Sequence, residues 1–321
     1  MTVLVVSSPR FADHDPGPGH PERPARLDAA LAGIEQAGLG DDVVAVPPRP
    51  AERSELLRVH RPEHLDHLEA LSARGGGMID LDTVAGPGSW DVALLAAGAG
   101  LEAVERLDRG DGEAAFCAVR PPGHHATDGR AMGFCLLNNA AVAAATLAER
   151  GERVVIVDWD VHHGNGTQDL FWADGRVLYA SLHQWPFYPG TGGADERGAG
   201  PGAGLIRNVP LPAGATGDVA LAALDQVVDP VVEGFAPTWL IVSAGFDAHR
   251  DDPIGGLAWS SGDYAALTRR VLAYAPPGRR LVFLEGGYDP DALAASVGAC
   301  MAALAGRRYE PEPPTTGGPG M

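Results

Sequence analysis

Six short runs dominate this chain: TVLVVSS near the N-terminus, then AAFCAVRPPGHH, RVVIVDWDVHHGNG, RVLYASLHQ, TWLIVSAGFDAH and RRLVFLEGGYD. Each is rich in β-branched residues and breaks into Gly, His, Asp or Ser. Runs this short, apolar on both sides of the pleat, fit strands covered on both faces, as in a parallel sheet. Between them lie Ala- and Leu-rich segments with helical spacing, at Trp90 to Leu107, Asn138 to Arg150, Asp218 to Glu233 and Ser261 to Tyr274. The alternation predicts an α/β fold, one central parallel sheet with helices on both faces, whose ligand-binding residues sit in the loops beyond the strands' carboxyl ends. No repeat and no linker interrupts the pattern. Gly75 to Gly77 and Gly198 to Gly204 read as loops, residues 1–309 as one domain, and residues 310–321, EPEPPTTGGPGM, as a flexible, frayed tail.

Composition narrows the partners. The 321 residues carry a formal charge of -18, a field that repels nucleic acid and acidic membrane surfaces and attracts cations. All 24 basic residues are Arg, so the lysine of a phosphate-binding loop is missing. Cys117, Cys135 and Cys300 stand singly in apolar surroundings, with no disulfide framework or thiolate zinc spacing. With no secretory leader and no membrane-length apolar run, a cytoplasmic protein is expected.

Four of the post-strand segments hold residues that a core does not want: His124 and His125; Asp158, Asp160, His162 and His163; Asp247; Glu285 and Tyr288. In an extended segment alternate side chains share a face, so Asp158, Asp160 and His162 project together. Catalytic zinc commonly takes three oxygen or nitrogen ligands and keeps a position open for water, and Asp247 is the natural third. Any one of these motifs alone could be a capping or loop hydrogen-bond pair. Their common address at the ends of neighbouring strands points to one metal site.

The blocks RPPGHHA, GFCLLNNA, DWDVHHGNGTQ, SAGFDAH and LEGGYD, with HPERPARL and PGTGG at Pro189 to Gly193, resemble the signature blocks of histone deacetylases and acetylpolyamine amidohydrolases, over roughly Phe11 to Met301. The resemblance implies an arginase-like single domain and a metal-dependent amidohydrolase that removes an acyl group from an amine. It implies Asp160, His162 and Asp247 as ligands of zinc, or of iron(II) in its place. It implies His125 as general base, His124 as its electrostatic partner, and Asp158 and Asn165 as the groups that orient those two rings. Asn at 165, where some members carry Asp, is similar to the class II and bacterial branches. Tyr288, after Gly286-Gly287, is implied as the donor to the developing oxyanion, and Tyr rather than His there argues for a competent deacetylase.

By the same resemblance Gly133, Phe134 and Tyr188 line a narrow substrate tunnel, Ile254 takes the rim position where polyamine-selective relatives carry an acid, and Arg23 is an internal arginine near the acetate exit. Arg23 at a helix start could equally form a surface salt bridge. A potassium ion held by carbonyls near Asp158, Asp160 and His162, with Ser181 and Leu182, is also consistent with the family. The apolar Ile254 favours an acylated lysine or a related amine over an acetylpolyamine. A two-metal ureohydrolase would need more acids than DWDVHHGNG offers, and a non-catalytic acyl-amine sensor would not need both His125 and Tyr288.

Overall fold

The computed structural model describes residues 1–320. Ten strands follow in chain order among them: β1 (Val3–Val6), β2 (Val43–Val46), β3 (Gly77–Met78), β4 (Val84–Ala85), β5 (Ala114–Cys117), β6 (Val154–Asp158), β7 (Val177–Gln184), β8 (Ile206–Leu211), β9 (Trp239–Ala244) and β10 (Arg280–Leu284). Eight form one sheet in the order β2-β1-β5-β10-β9-β6-β7-β8, every neighbouring pair parallel. β3 and β4 make a small separate antiparallel pair.

The six strands legible in the sequence occupy the sheet's interior, and β1, β5, β6, β7 and β9 are buried at every residue. The two that were not anticipated, β2 and β8, are the edges. Edge strands are covered less completely, so their residues are only partly buried and include exposed Val44 and the donor-less Pro210. That weakens the continuous apolar run that marks an interior strand.

The helices are α1 (Ala25–Gln36), α2 (Arg53–Leu56), α3 (Pro62–Ala73), α4 (Ser89–Asp108), α5 (Asn139–Glu149), α6 (Asn165–Phe171), α7 (Gly217–Ala223), α8 (Asp229–Phe235), α9 (Ser261–Val271) and α10 (Pro290–Leu304). α1, α10, α9 and α7 pack in sequence on one face, while α3, α4, α5 and α6 pack on the other. Start signals set their ends: Asn138 accepts from Ala141 N at 3.0 Å, Ser260 and Asp263 form a capping box, and Asp289 accepts from Asp291 N and Ala292 N ahead of Pro290. The helix expected from Asp218 to Glu233 is divided. A π-helical turn, Leu224–Val228, separates α7 from α8 because Pro230 supplies no N–H and its ring crowds the preceding turn.

The tail is not frayed. Residues after α10 fold back across the start of α9: Ser260 Oγ donates to Pro313 O at 2.7 Å, Thr315 N donates to Asp263 at 2.9 Å, and Gly318 N donates to Thr216 Oγ1 at 2.9 Å. Pro- and Gly-rich composition made the segment read as frayed; it holds no helix or strand, yet its non-repetitive backbone still makes these hydrogen bonds. No helix among the described residues is long and apolar enough to cross a membrane.

Candidate metal and catalytic centre

The middle of the sheet runs β5-β10-β9-β6, and the loops leaving these four neighbours carry the polar residues singled out above. Main-chain bonds beyond the sheet hold the loops together: Trp159 N donates to Ser243 O at 3.1 Å, Glu285 N to Ala244 O at 2.9 Å and Phe246 N to Gly286 O at 3.0 Å. Residues from three distant stretches of chain are thereby fixed around one buried volume. Gly286 is required there, since a Cβ would collide with the carboxylates of Asp247 and Asp160.

Asp160, His162 and Asp247 converge, with one ligand-type atom from each lying within 4.8 Å of the others. His162 Nδ1 is 3.1 Å from Asp160 Oδ1 and 3.2 Å from Asp247 Oδ2. The other carboxylate oxygens are occupied: Asp160 Oδ2 accepts from Gly286 N at 2.8 Å and Asp247 Oδ1 from Val161 N at 2.9 Å. Asp247 Oδ2 is buried and has no hydrogen-bond partner. Burial, and then the charge of Asp160, push the Asp247 carboxyl up to about 7. Burial opposes a charge on His162, but Asp160 and Asp247 overcome it and raise the ring to about 9. Two buried carboxylates crowd one imidazole, and Asp247 Oδ2, which makes no hydrogen bond although His162 Nδ1 is 3.2 Å away, completes a donor set of oxygen and nitrogen that fits one divalent cation with an open position.

The histidine pair stands beside this cluster with ring centroids 4.0 Å apart. His124 Nδ1 bonds Asp158 Oδ2 at 3.0 Å, and Tyr179 OH donates to the same oxygen at 2.9 Å. Burial disfavours its cation, yet Asp160, Asp158 and Glu285 together lift His124 to about 10. His125 Nδ1 bonds Asn165 Oδ1 at 2.8 Å. Burial and the neighbouring charges of His124 and His162 push His125 well below the usual histidine range. Because an amide oxygen only accepts, Nδ1 carries the proton and Nε2 keeps a free lone pair. One ring is therefore held charged and its neighbour neutral.

Glu285, seen in the sequence only as a polar residue at a strand end, anchors the loop that carries both histidines. Its Oε2 accepts from Gly123 N at 2.6 Å and His124 N at 3.2 Å, and Ser243 Oγ donates to Oε1 at 3.2 Å. Tyr288 is packed at the same floor, and burial pushes its hydroxyl well above the ordinary tyrosine value, so it stays protonated.

Arg23 does not reach the centre. It precedes α1 and is exposed, whereas the first turn of that helix carries Arg26 inward to 2% exposure. Arg26 donates to Gly287 O at 2.6 Å and to Glu285 O at 2.5 Å, and Glu22, also fully buried, accepts from it at 3.2 Å. HPERPARL contains both arginines; Arg23 lies outside the helix, ahead of the Pro24 cap, and Arg26 lies in its first turn on the buried side.

A cavity of about 180 Å³ descends to the cluster, lined by Gly133, Phe134, Tyr188 and Ile254, by His125 and Tyr288, and by Asp82, His162 and Phe187. Phe187, which the sequence reading passed over, stacks on the His162 ring at 5.3 Å and 16°. Phe134 holds a left-handed backbone at φ 68°, strain of about 1–3 kcal/mol for a non-glycine residue. Thr83 Oγ1 accepts its N–H at 3.1 Å, tying the wall to the loop that bears Asp82. Gly133 is confined to glycine because a Cβ would strike the His125 ring. Asp82 gave no signal in sequence, lying in a short loop beside a second acid, Asp80. Ser181 stands level with Asp158 in the β6–β7 register, and its hydroxyl pairs with His183 Nδ1 at 2.9 Å.

Comparison with known proteins agrees with this geometry. The histone deacetylase domain family matches residues 20–304. A probable deacetylase of Archaeoglobus fulgidus is 40% identical over 313 residues, 95% of this chain and 87% of the relative. A histone deacetylase-like amidohydrolase of Pseudomonas aeruginosa is 39% identical over 277 residues, 84% of this chain and 73% of the relative. The crystal structure of the HDA15 HD domain superposes with a TM-score of 0.90 at 40% identity, covering 95% of this chain and 90% of that one. The parallel sheet with its flanking helices is the arginase-like α/β fold of such domains. A fold, a set of strand-end residues and relatives over nearly the full length all lead to one conclusion: the chain belongs to the histone deacetylase family.

Proposed function

We propose that this deacetylase-type hydrolase cleaves an N-acyl amide, with acetyl as the acyl group, on a lysine or related amine, using one divalent metal held by Asp160, His162 and Asp247. The observation that carries the reading is the buried cluster of those three residues at the floor of a narrow cavity that also presents His125 and Tyr288. A zinc ion there, or iron(II), would polarise the acyl carbonyl and acidify a water.

The chain's own residues supply the remaining chemistry. His125, neutral with Nε2 free, takes the water's proton and later delivers one to the leaving amine. His124, cationic against Asp158, stabilises the negative charge that develops beside it. Tyr288 donates its retained proton to the oxyanion, a contact that strengthens as charge accumulates. Phe134, Phe187 and Tyr188 form aromatic walls that admit a slim methylene chain and keep bulk water away from the base.

A second metal finds little support, because His163 is turned to Thr191 Oγ1 and Gln168 Oε1, at 2.8 and 3.1 Å. A potassium ion near Ser181 and Asp158 belongs to the proposal as a structural ion. The charge of -18 disfavours direct nucleic-acid binding, and three buried free cysteines fit a reducing cytoplasm.

Ile254 itself offers no anion for a distal ammonium, and Asp82, the one carboxylate lining the cavity, accepts from Thr83 Oγ1 at 2.9 Å within its own loop; on that reading an acetyl-lysine peptide is expected to show higher kcat/KM than acetylspermidine. A fluorogenic acetyl-lysine assay with and without chelator tests the main reading. A wild-type rate no higher than that of Tyr288→Phe would favour a non-catalytic acyl-amine sensor, and the reverse substrate order would favour a polyamine amidohydrolase.

A further inference from the structure

The segment after α10 lies beyond residues 20–304, the part that matches the family, yet it grips a turn next to the candidate centre. Glu312 is the grip. Its Oε2 accepts from His249 Nε2 at 2.8 Å and from Ser261 N at 3.0 Å, and its Oε1 pairs with the Arg250 guanidinium. His249 is 2% exposed, and its Nδ1 accepts from Asp251 N at 3.2 Å, so Nε2 carries the proton that Glu312 receives. Downstream, Thr315 bonds Asp263 through both its N–H and its hydroxyl, at 2.9 and 2.7 Å. Gly262 allows the strap to lie this close, since a Cβ there would collide with Glu312 O.

From the gripped turn the contacts continue to the catalytic floor. Asp252 N donates to His249 O at 2.9 Å, and Asp252 is 6% exposed. Its Oδ2 accepts from Tyr288 N at 2.6 Å and from Asp289 N at 3.3 Å, while Oδ1 accepts from Ile254 N at 2.9 Å. One buried carboxylate thus holds the main chain of the proposed oxyanion donor and of the rim residue. The turn that places this carboxylate is held from outside by the strap.

We propose that Glu312 is a positioning residue, and that the strap from Pro311 to Gly318 sets the place of Tyr288 through the His249–Asp252 turn. The kinetic consequence rests on the deacetylase reading; the structural consequence does not. A displaced Tyr288 loses a contact made mainly in the transition state, which lowers kcat and leaves substrate binding nearly unchanged.

The test uses Glu312→Ala and Glu312→Gln in the full, zinc-loaded chain, followed by hydrogen exchange and by steady-state kinetics on an acetyl-lysine peptide. In Glu312→Ala, amides of residues 286–291 are expected to exchange at least about tenfold faster while β9 and β10 keep wild-type rates. In the same variant kcat is expected to fall about tenfold with KM within about twofold. Glu312→Gln, which keeps an oxygen for Ser261 and His249, should shift both readouts in the same direction by less. Unchanged exchange at 286–291, a uniform rise across the chain, or faster exchange with wild-type kcat each overturns the proposal. If Glu312→Ala does not fold, Glu312→Gln decides by the same criteria. A wild-type chain inactive on every acylated amine would remove the deacetylase reading, and the exchange result would still judge the strap.

Discussion

The guanidinium carbon of Arg26 lies 4.8 Å from the centre of the Tyr288 ring, and its nitrogens bond the carbonyls of Glu285 and Gly287 on the approach to that tyrosine. Such a cation over an aromatic face, with its donors spent on the flanking main chain, fixes the ring and the turn that carries it. Arg26 is itself held by Glu22, which also accepts from Arg120 at 2.5 and 2.7 Å. Burial alone would raise the Glu22 carboxyl; the His14 hydrogen bond and the charges of Arg120 and Arg26 reverse this and hold it well below the usual range.

Glu22→Gln should therefore destabilise the fold by about 3–5 kcal/mol at neutral pH, because two buried guanidinium groups lose their anion. With the folded value depressed, the carboxylate's contribution is complete above the unfolded value of about 4.3 and is lost as pH falls. Urea titrations of wild type and variant should differ most at pH 7 and converge in acid. A constant difference across that range would mean that charge is not the cause.

Tyr288→Phe should lower kcat by about 10²–10³ and leave KM within a few-fold, since only a transition-state donor is removed. Equal losses in binding of an unreactive substrate analogue would assign the hydroxyl to ground-state recognition instead.

Asn165→Asp replaces the neutral acceptor on His125 Nδ1 with an anion. The ring, now held low by burial and by His124 and His162, should become easier to protonate. A base that works when neutral then needs higher pH, so the acidic limb of kcat/KM should move up by about 1 unit or more. A pH-rate profile with an unmoved limb would take the general-base role away from His125.

Metal analysis should find one divalent ion per chain, with activity lost to chelator and restored by zinc. Asp247→Asn should weaken retention sharply, because it removes an anion from a site built of two carboxylates and one imidazole. Two equivalents per chain lost together in this variant would indicate a binuclear centre.

What each level of description decided can be read from particular residues. Local sequence was enough for the six interior strands, because burial on both faces demands unbroken apolar runs. It was enough to bring Asp158, Asp160, His162 and Asp247 to one address, since parallel strands deliver their carboxyl ends to one side of a sheet, while the choice of Asp160, His162 and Asp247 came from the resemblance, and the structure brings those three together. Tertiary structure decided the edges β2 and β8, whose partial exposure blurs the pattern, and it chose Arg26 over Arg23 by where α1 begins and which side of its first turn is buried. It alone placed Phe187 on His162 and Asp82 at the rim, and it alone bound the Pro- and Gly-rich C-terminal segment to α9. The physical reason is common to these cases. Periodicity and composition report how a residue's own element is solvated, whereas contacts between elements distant in sequence depend on how the whole chain packs.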